Sequence, residues 1–395
     1  MSIQAIDKIS LTNKRLFIRV DFNCPLTADG NIADDSRIRA ALPTIRYALQ
    51  NKARVILASH FGRPKGEKDL KYSLAPVAKK LMEKLEIAEV IFPEDCVGDG
   101  VTKLSKEMKP GQVMLLENLR LHPEEEKNEE RFAKKLATLC DVYINDAFGA
   151  SHRAHASIVG MLPFVAEKGI GFLMQREVNF FKGMLEKPKR PFVAILGGGK
   201  VSDKIGVIES LLNQVDALCV GGAMAYTFLK AMGKNMGESK VELDKIHIAK
   251  KILNRAATKG IPIFLPQDHL IAQNLNETAK TQTTPDQNIP AGWMGVDIGL
   301  KTVEEFARQM QKAKTVFWNG PLGIYEIEHF AQGTYGVARA MASLQATTII
   351  GGGDSASAVQ KAGLADKITH ISTGGGASLE FIEAGTLPGL KALGY

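Results

Sequence analysis

The chain lacks the marks of a secreted, membrane or nucleic-acid-binding protein. Its four cysteines, Cys24, Cys96, Cys140 and Cys219, are scattered. With no close pair, they argue against a disulfide framework or a zinc site and fit buried thiols in a reducing cytoplasm. No run of about 18 apolar residues is present, so no membrane span is expected. The opening residues, Met1 to Lys8, lack the apolar core of a signal peptide. The net charge is +7, yet there is no Lys/Arg block and few aromatics lie among the basic residues. A small anionic substrate is therefore expected rather than nucleic acid. His60, His152 and His155 show no metal-ligand spacing.

What is present is an ordinary globular composition, 45% hydrophobic and 24% charged, over 395 residues, a comfortable length for two domains. Apolar runs at 15–21, 53–59, 112–117 and 142–145 read as buried strands, with helical periodicity at 35–51, 74–85 and 129–139. The second half repeats the alternation, with strands near 192–196, 217–220, 261–265, 314–318, 347–350 and 368–371. Strands alternating with helices mean βαβ units. The fold class expected is α/β: two doubly wound, three-layer domains with parallel sheets, joined by a helix with a hinge. The linking helix is placed at Gly171–Leu185, with a stop at Glu186–Pro191. Polar residues 274–290 read as an exposed excursion. The apolar last residues, from Thr386, read as packing back on the first domain or the hinge.

Three strands in the second half run into triple glycines: Gly197–Gly199 before Lys200, Gly351–Gly353 before Asp354, and Gly374–Gly376. A shorter version is Gly221-Gly222. Glycine permits close backbone approach, and a following helix N-terminus suits phosphate. Several such turns in one domain point to a polyphosphate ligand. Lys200 and Lys204 are four apart, a spacing that puts both on one helix face, where an anion would neutralise them. The frame is not a Walker loop, because Val201 follows Lys200. Gly351-x-Gly353-x-x-Ala356 fits a dinucleotide fingerprint only loosely, since the next strand ends at Ser372-Thr373 without an acid. Asp354 reads as an N-cap or a magnesium contact, and Glu326 as a surface acid or a ribose contact.

The first half gathers basic and hydrogen-bonding residues just after its strands: Asp21-Phe-Asn23, His60-Phe-Gly-Arg63, Glu117-Asn-Leu-Arg120 and Asn145–Gly149, leading to Arg153. Arg37 stands at the start of the first helix. Strand carboxyl ends of a doubly wound sheet share one edge, so Arg37, Arg63, Arg120 and Arg153 are expected to converge there. Arginine is suited to bidentate capture of phosphate or carboxylate.

Eleven segments in order resemble the phosphoglycerate kinase family over essentially the whole chain: 19–23, 35–37, 59–64, 116–120, 145–149, 152–155, 197–204, 292–297, 318–326, 351–354 and 373–378. The resemblance implies an N-terminal domain at 1–170 that binds 3-phosphoglycerate or 1,3-bisphosphoglycerate through Asp21, Asn23, Arg37, His60, Arg63, Arg120 and Arg153. It implies a connecting helix and hinge at 171–188 and a nucleotide-binding domain at 189–380, with 381–395 returning toward the first domain. There Lys204, Gly221, Gly222, Gly295, Asn319, Glu326, Gly351, Gly352, Gly353, Asp354 and Ser355 would meet ATP or ADP, with Asp354 on Mg²⁺. Arg37, Lys200, Lys204, Gly374 and Gly375 would serve the phosphoryl group in flight. A cytoplasmic monomer with no nucleic-acid or membrane partner completes the expectation. The departures are Cys24, Ser36, Tyr325 and Ser355, where valine, threonine, phenylalanine and threonine are usual in the family.

Donor and acceptor held on separate domains must be brought together for transfer. X-ray scattering should therefore give a smaller radius of gyration with both substrates than with either alone. An unchanged radius would mean that the closed state is already resident without ligand.

Overall fold

The computed structural model describes residues 3–65 and 69–395. It divides into two compact units, residues 1–179 with 386–395, and residues 180–385.

The first unit is built on five strands: β1 (Arg15–Arg19), β2 (Arg54–Ala58), β3 (Val113–Leu115), β4 (Val142–Asn145) and β5 (Glu167–Ile170). They pair in the order β3-β2-β1-β4-β5, all parallel. Side chains alternate across a strand, so each apolar run serves two cores. Leu16, Ile18, Val55 and Leu57 pack with Ile38, Ala41 and Ile45 of helix α1 (Ser36–Gln50) and with Val77 and Leu81 of α2 (Ala75–Leu85). Phe17, Ile56 and Met114 point the other way. They meet Val101 of α3 (Asp99–Glu107) and, beyond the single turn α4 (Pro123–Glu126), Phe132 and Leu136 of α5 (Glu130–Ala137). The division between units falls within α6 (Phe172–Glu186).

In the second unit β6 (Phe192–Leu196) leads to α7 (Ile205–Leu211), β7 (Ala217–Val220) to α8 (Gly222–Ala231) and α9 (Ile246–Thr258), and then β8 (Ile263–Phe264) follows. Next comes an antiparallel sheet of β9 (His269–Ala272), β10 (Thr281–Thr283) and β11 (Met294–Ile298). The parallel pattern resumes with α10 (Leu300–Met310), β12 (Thr315–Asn319), α11 (Gln332–Ala342), β13 (Thr347–Gly351), α12 (Gly353–Lys361), β14 (His370–Ile371) and α13 (Gly375–Ala384). The main sheet runs β14-β13-β12-β6-β7-β8. Each unit's first strand thus stands beside its fourth parallel one, the doubly wound arrangement that leaves a crevice at the carboxyl ends. Trp318, Val316 and Ile195 pack under Phe306 of α10 and Met341 of α11. Phe317 faces the other side, where its ring meets Phe181, which also lies 6.0 Å from Phe381 of α13. The final turn α14 (Pro388–Lys391) belongs to the first unit, where Gly389 N donates to Ser151 O at 2.9 Å.

Two features depart from the sequence reading. The polar excursion at 274–290 contains β10, whose three residues are all exposed, so a strand paired on one edge carries no apolar alternation to reveal it. The lysine pair does not share a helix face. Lys200 precedes the 3₁₀ turn Ser202–Lys204, α7 begins only at Ile205, and Lys200 is exposed while Lys204 is 7% exposed.

A Cβ on Gly197 would lie 2.2 Å from the Pro321 carbonyl oxygen, whereas one on Gly183, exposed in α6, meets nothing within 4 Å. Gly197→Ala should cost about 1–3 kcal/mol through overpacking. Gly183→Ala should stabilise by about 0.5–1 kcal/mol through helix propensity. Urea unfolding of the two variants checks both signs.

Candidate active site

The carboxyl ends of β1, β2, β3 and β4, with the start of α1, build the first cluster. Asp21, two residues past β1, is paired with Arg37 Nη1 at the start of α1 and accepts the Asn23 amide at 3.2 Å. Burial would raise the Asp21 pKa, but Arg37, His60 and Arg19 outweigh it and hold the carboxyl at about 2. Asn23 Oδ1 in turn accepts Gly62 N at 2.8 Å, tying the loop after β1 to the loop after β2. Arg120 Nη1 donates to Gly62 O at 2.9 Å, and its Nε lies 2.9 Å from Glu126 Oε1 without hydrogen-bond geometry. Burial and the charges of Arg153 and Arg19 lower the Arg120 pKa, with Glu126 opposing. Arg153 Nε donates to His152 Nε2 at 3.2 Å. The structure thus brings Asp21, Arg37, His60, Arg120 and Arg153 together. Arg63 is exposed just beyond Gly62.

This loop edge is braced from beneath. Asn118, fully buried, accepts Phe61 N at 2.9 Å and Arg120 N at 3.1 Å while donating to Phe61 O and Tyr72 O. Glu117 accepts Leu74 N at 2.8 Å and the Ser73 hydroxyl at 2.7 Å. These bonds fix the backbone that carries His60, Arg63 and Arg120.

In the second unit the glycine turns meet at the carboxyl ends of β6, β7, β12, β13 and β14. Asn319, the last residue of β12, is the hub. Its carbonyl accepts Gly197 N at 2.9 Å, its Nδ2 donates to Gly351 O at 2.7 Å, and its Oδ1 accepts Lys204 Nζ. Burial lowers the Lys204 pKa to about 8, against the opposing pull of Asp203 and Asp354. Gly320 N donates to Ser355 Oγ at 2.6 Å. Gly222, at φ +65°, has room for no side chain, since a Cβ there would lie 2.6 Å from Gly198 N. A Cβ on Gly375 would meet Gly352 Cα at 2.9 Å, so the second and third triple-glycine turns touch backbone to backbone. α12 and α13 start there, with free N–H groups at their first turns. Asp354 is exposed in the first turn of α12, and Glu326 is exposed in the loop after β12. Gly295, on β11, packs against Tyr226 of α8, and its N–H donates to Ser239 Oγ at 2.9 Å.

The family model for phosphoglycerate kinase matches residues 6–385. The chain belongs to the phosphoglycerate kinase family. It is 57% identical over 394 residues to the phosphoglycerate kinase of Anaeromyxobacter dehalogenans strain 2CP-C, covering 99% of each chain. It is 52% identical to that of Clostridium tetani, covering 99% of this chain and 97% of the relative. The structure of phosphoglycerate kinase from Coxiella burnetii superposes with a TM-score of 0.87 at 40% identity, covering 99% of this chain and 98% of that one. The Pyrococcus horikoshii OT3 enzyme gives 0.87 at 34% identity, with 98% of each chain covered.

As a phosphoglycerate kinase, the enzyme carries out reversible phosphoryl transfer, 1,3-bisphosphoglycerate and ADP to 3-phosphoglycerate and ATP, in glycolysis and gluconeogenesis. Its substrates are small molecules, and an ATP-using kinase implies a divalent metal with the nucleotide. Among the described residues no helix is long and apolar enough to cross a membrane.

Reading the sequence alone missed the buried polar residues beneath the phosphoglycerate kinase loops. Arg19 is fully buried at the end of β1, and Glu125 is fully buried in α4. The signal was available for Arg19, a charge inside an otherwise apolar strand. Glu125 sits in a run of three glutamates with nothing to single it out.

The burial of Lys204 can be read directly. Its ammonium should titrate near pH 8 by ¹³Cε NMR of the ligand-free enzyme, well below the ordinary 10.5. A midpoint above 10 would show that the amine is solvated.

Proposed function

We propose that the first unit binds 3-phosphoglycerate or 1,3-bisphosphoglycerate through Asn23, Arg37, His60, Arg63, Arg120 and Arg153, with Asp21 orienting Arg37. The second unit binds ATP or ADP. The observation that carries this reading is the gathering of His60, Arg37, Arg120 and Arg153 around one deeply ionised carboxylate, Asp21, at a strand edge. Three guanidiniums in one place, with a neutral imidazole among them, call for a multiply charged anion.

The nucleotide phosphates would lie over the glycine turns. Gly351, Gly352 and Gly353 allow close backbone approach, Lys204 supplies charge and Ser355 a hydroxyl. Gly221, Gly222 and Gly295 would line the nucleoside side, with Asn319 beneath and Glu326 reaching the ribose. The metal fits Mg²⁺: Asp354 is an oxygen donor with no hydrogen-bond or ion-pair partner among the described residues, and Mg²⁺ takes one or two carboxylates together with phosphate oxygens. When bound, it would neutralise charge on the nucleotide phosphates.

Both nucleophiles, a carboxylate in one direction and an ADP phosphate oxygen in the other, are ionised at neutral pH. No general base is needed. The barrier is the mutual repulsion of anions and the access of water, so catalysis rests on positioning and charge stabilisation. In the first unit Arg37 serves the acyl phosphate end. In the second, Lys200, Lys204 and the first amides of α13 after Gly374 and Gly375 serve the transferred group. A cytoplasmic monomer goes with this reading as what membership of the family implies.

Arg37→Ala and Lys200→Ala should each lower kcat by at least about 10²-fold, the loss of one preorganised charge stabiliser. The assay couples 3-phosphoglycerate and ATP consumption to NADH oxidation by a downstream dehydrogenase. A variant within about threefold of wild type would remove that residue from the mechanism. No turnover by folded wild type would overturn the whole reading.

A further inference from the structure

His60 touches a residue that can only give hydrogen bonds. Arg19 Nη2 lies 3.3 Å from His60 Nδ1, and a guanidinium has five N–H donors and no acceptor. Nδ1 must therefore be the accepting nitrogen, which leaves the ring proton on Nε2. That nitrogen has no hydrogen-bond partner among the described residues.

Arg19 is itself held rigidly. Its Nε donates to Ser157 Oγ at 2.8 Å and its Nη1 to the Val20 carbonyl. The Ser157 hydroxyl proton is committed to Glu125 Oε1, and Ser157 N donates to Glu125 Oε2 at 2.9 Å. With its proton so engaged, Ser157 Oγ can only accept from Arg19. The bonds diverge from Arg19: it donates to His60 on one side and to Ser157 on the other, and Ser157 donates on to Glu125. Arg19, Ser157 and Glu125 are all fully buried and His60 is 7% exposed, so water does not compete for these bonds.

We propose that Arg19 is a positioning residue, oriented by Ser157 and Glu125, which holds His60 as the Nε2–H tautomer and presents that N–H to the anionic substrate. The basic cluster then offers one neutral, directional donor among its guanidinium cations. Burial keeps His60 well below its ordinary pKa of 6.5, with Arg19, Arg120 and Arg37 adding to the effect and Asp21 opposing it. The inference rests on the assignment of this cluster to 3-phosphoglycerate.

His152 provides an internal contrast. Its Nε2 accepts from Arg153, so its proton belongs on Nδ1. Nitrogen-15 NMR of histidine-labelled full-length enzyme at pH 7.5 should show opposite tautomers for the two rings. Arg19→Met and Ser157→Ala should each convert His60 to a mixture, and the Ser157 variant keeps the experiment open if the arginine variant does not fold. Both should raise KM for 3-phosphoglycerate about tenfold, the worth of about 1.4 kcal/mol, with KM for ATP unchanged. His60→Gln, whose amide nitrogen can stand near Nε2 while its oxygen accepts from Arg19, should lose less than His60→Asn.

An Nδ1–H or doubly protonated His60 in the free enzyme would overturn the proposal, as would a tautomer that survives in both variants. The tautomer measurement needs no substrate, so it stands apart from the site assignment. A His60 signal with the correct tautomer that ignores saturating 3-phosphoglycerate would instead refute the binding role for this cluster, and with it the presentation of the N–H to substrate.

Discussion

Parallel strand pairing is the constraint from which the rest of the molecule follows. In-register parallel ladders place the ends of β1, β2 and β4 level with one another, and likewise those of β6, β12 and β13. Many of the site residues then need only stand a few positions after a strand, while Arg37 is supplied by the start of α1. Asp21, His60 and Arg120 reach one edge from three crossovers. Leu196, Asn319 and Gly351 are paired partners in the other unit, which is why one residue, Asn319, can hold one glycine turn by its carbonyl and another, with a lysine, by its side chain.

The two edges answer the same problem with different materials. The first collects long cationic side chains and spends Asp21, Asn23 and Asn118 on keeping them apart and in place. The second removes side chains altogether, so that amide groups and helix ends form the surface. A guanidinium can fork around a carboxylate or phosphate, whereas a backbone turn can lie along a chain of phosphates. Phosphoryl transfer rests on positioning and charge stabilisation, and both materials can supply these.

Much of this was legible in the residues. Apolar runs such as Phe192–Leu196 announced buried strands because both faces of a parallel sheet are covered, and the glycine runs announced turns because nothing else tolerates the contacts at Gly197 and Gly222. β10 was hidden because Thr281–Thr283 is exposed on every residue. Lys200 and Lys204 misled because spacing predicts a shared face only where a helix already exists, and here the first turn is 3₁₀. Arg19 and Glu125 were invisible as a pair, since only the fold brings residues more than a hundred positions apart to either side of Ser157.

The contact between Gly352 and Gly375 has a consequence for how the enzyme can vary. A floor made of main chain presents the same dipoles whatever the sequence around it, and it has no side chain through which small changes of shape or charge can be introduced. Variation at that floor is close to all or nothing: a substitution either forces the two turns apart or leaves them alone. Gradual adjustment of ligand preference has to be written at the rim, in exposed side chains such as Glu326, the proposed ribose contact, which can be exchanged without moving the backbone beneath.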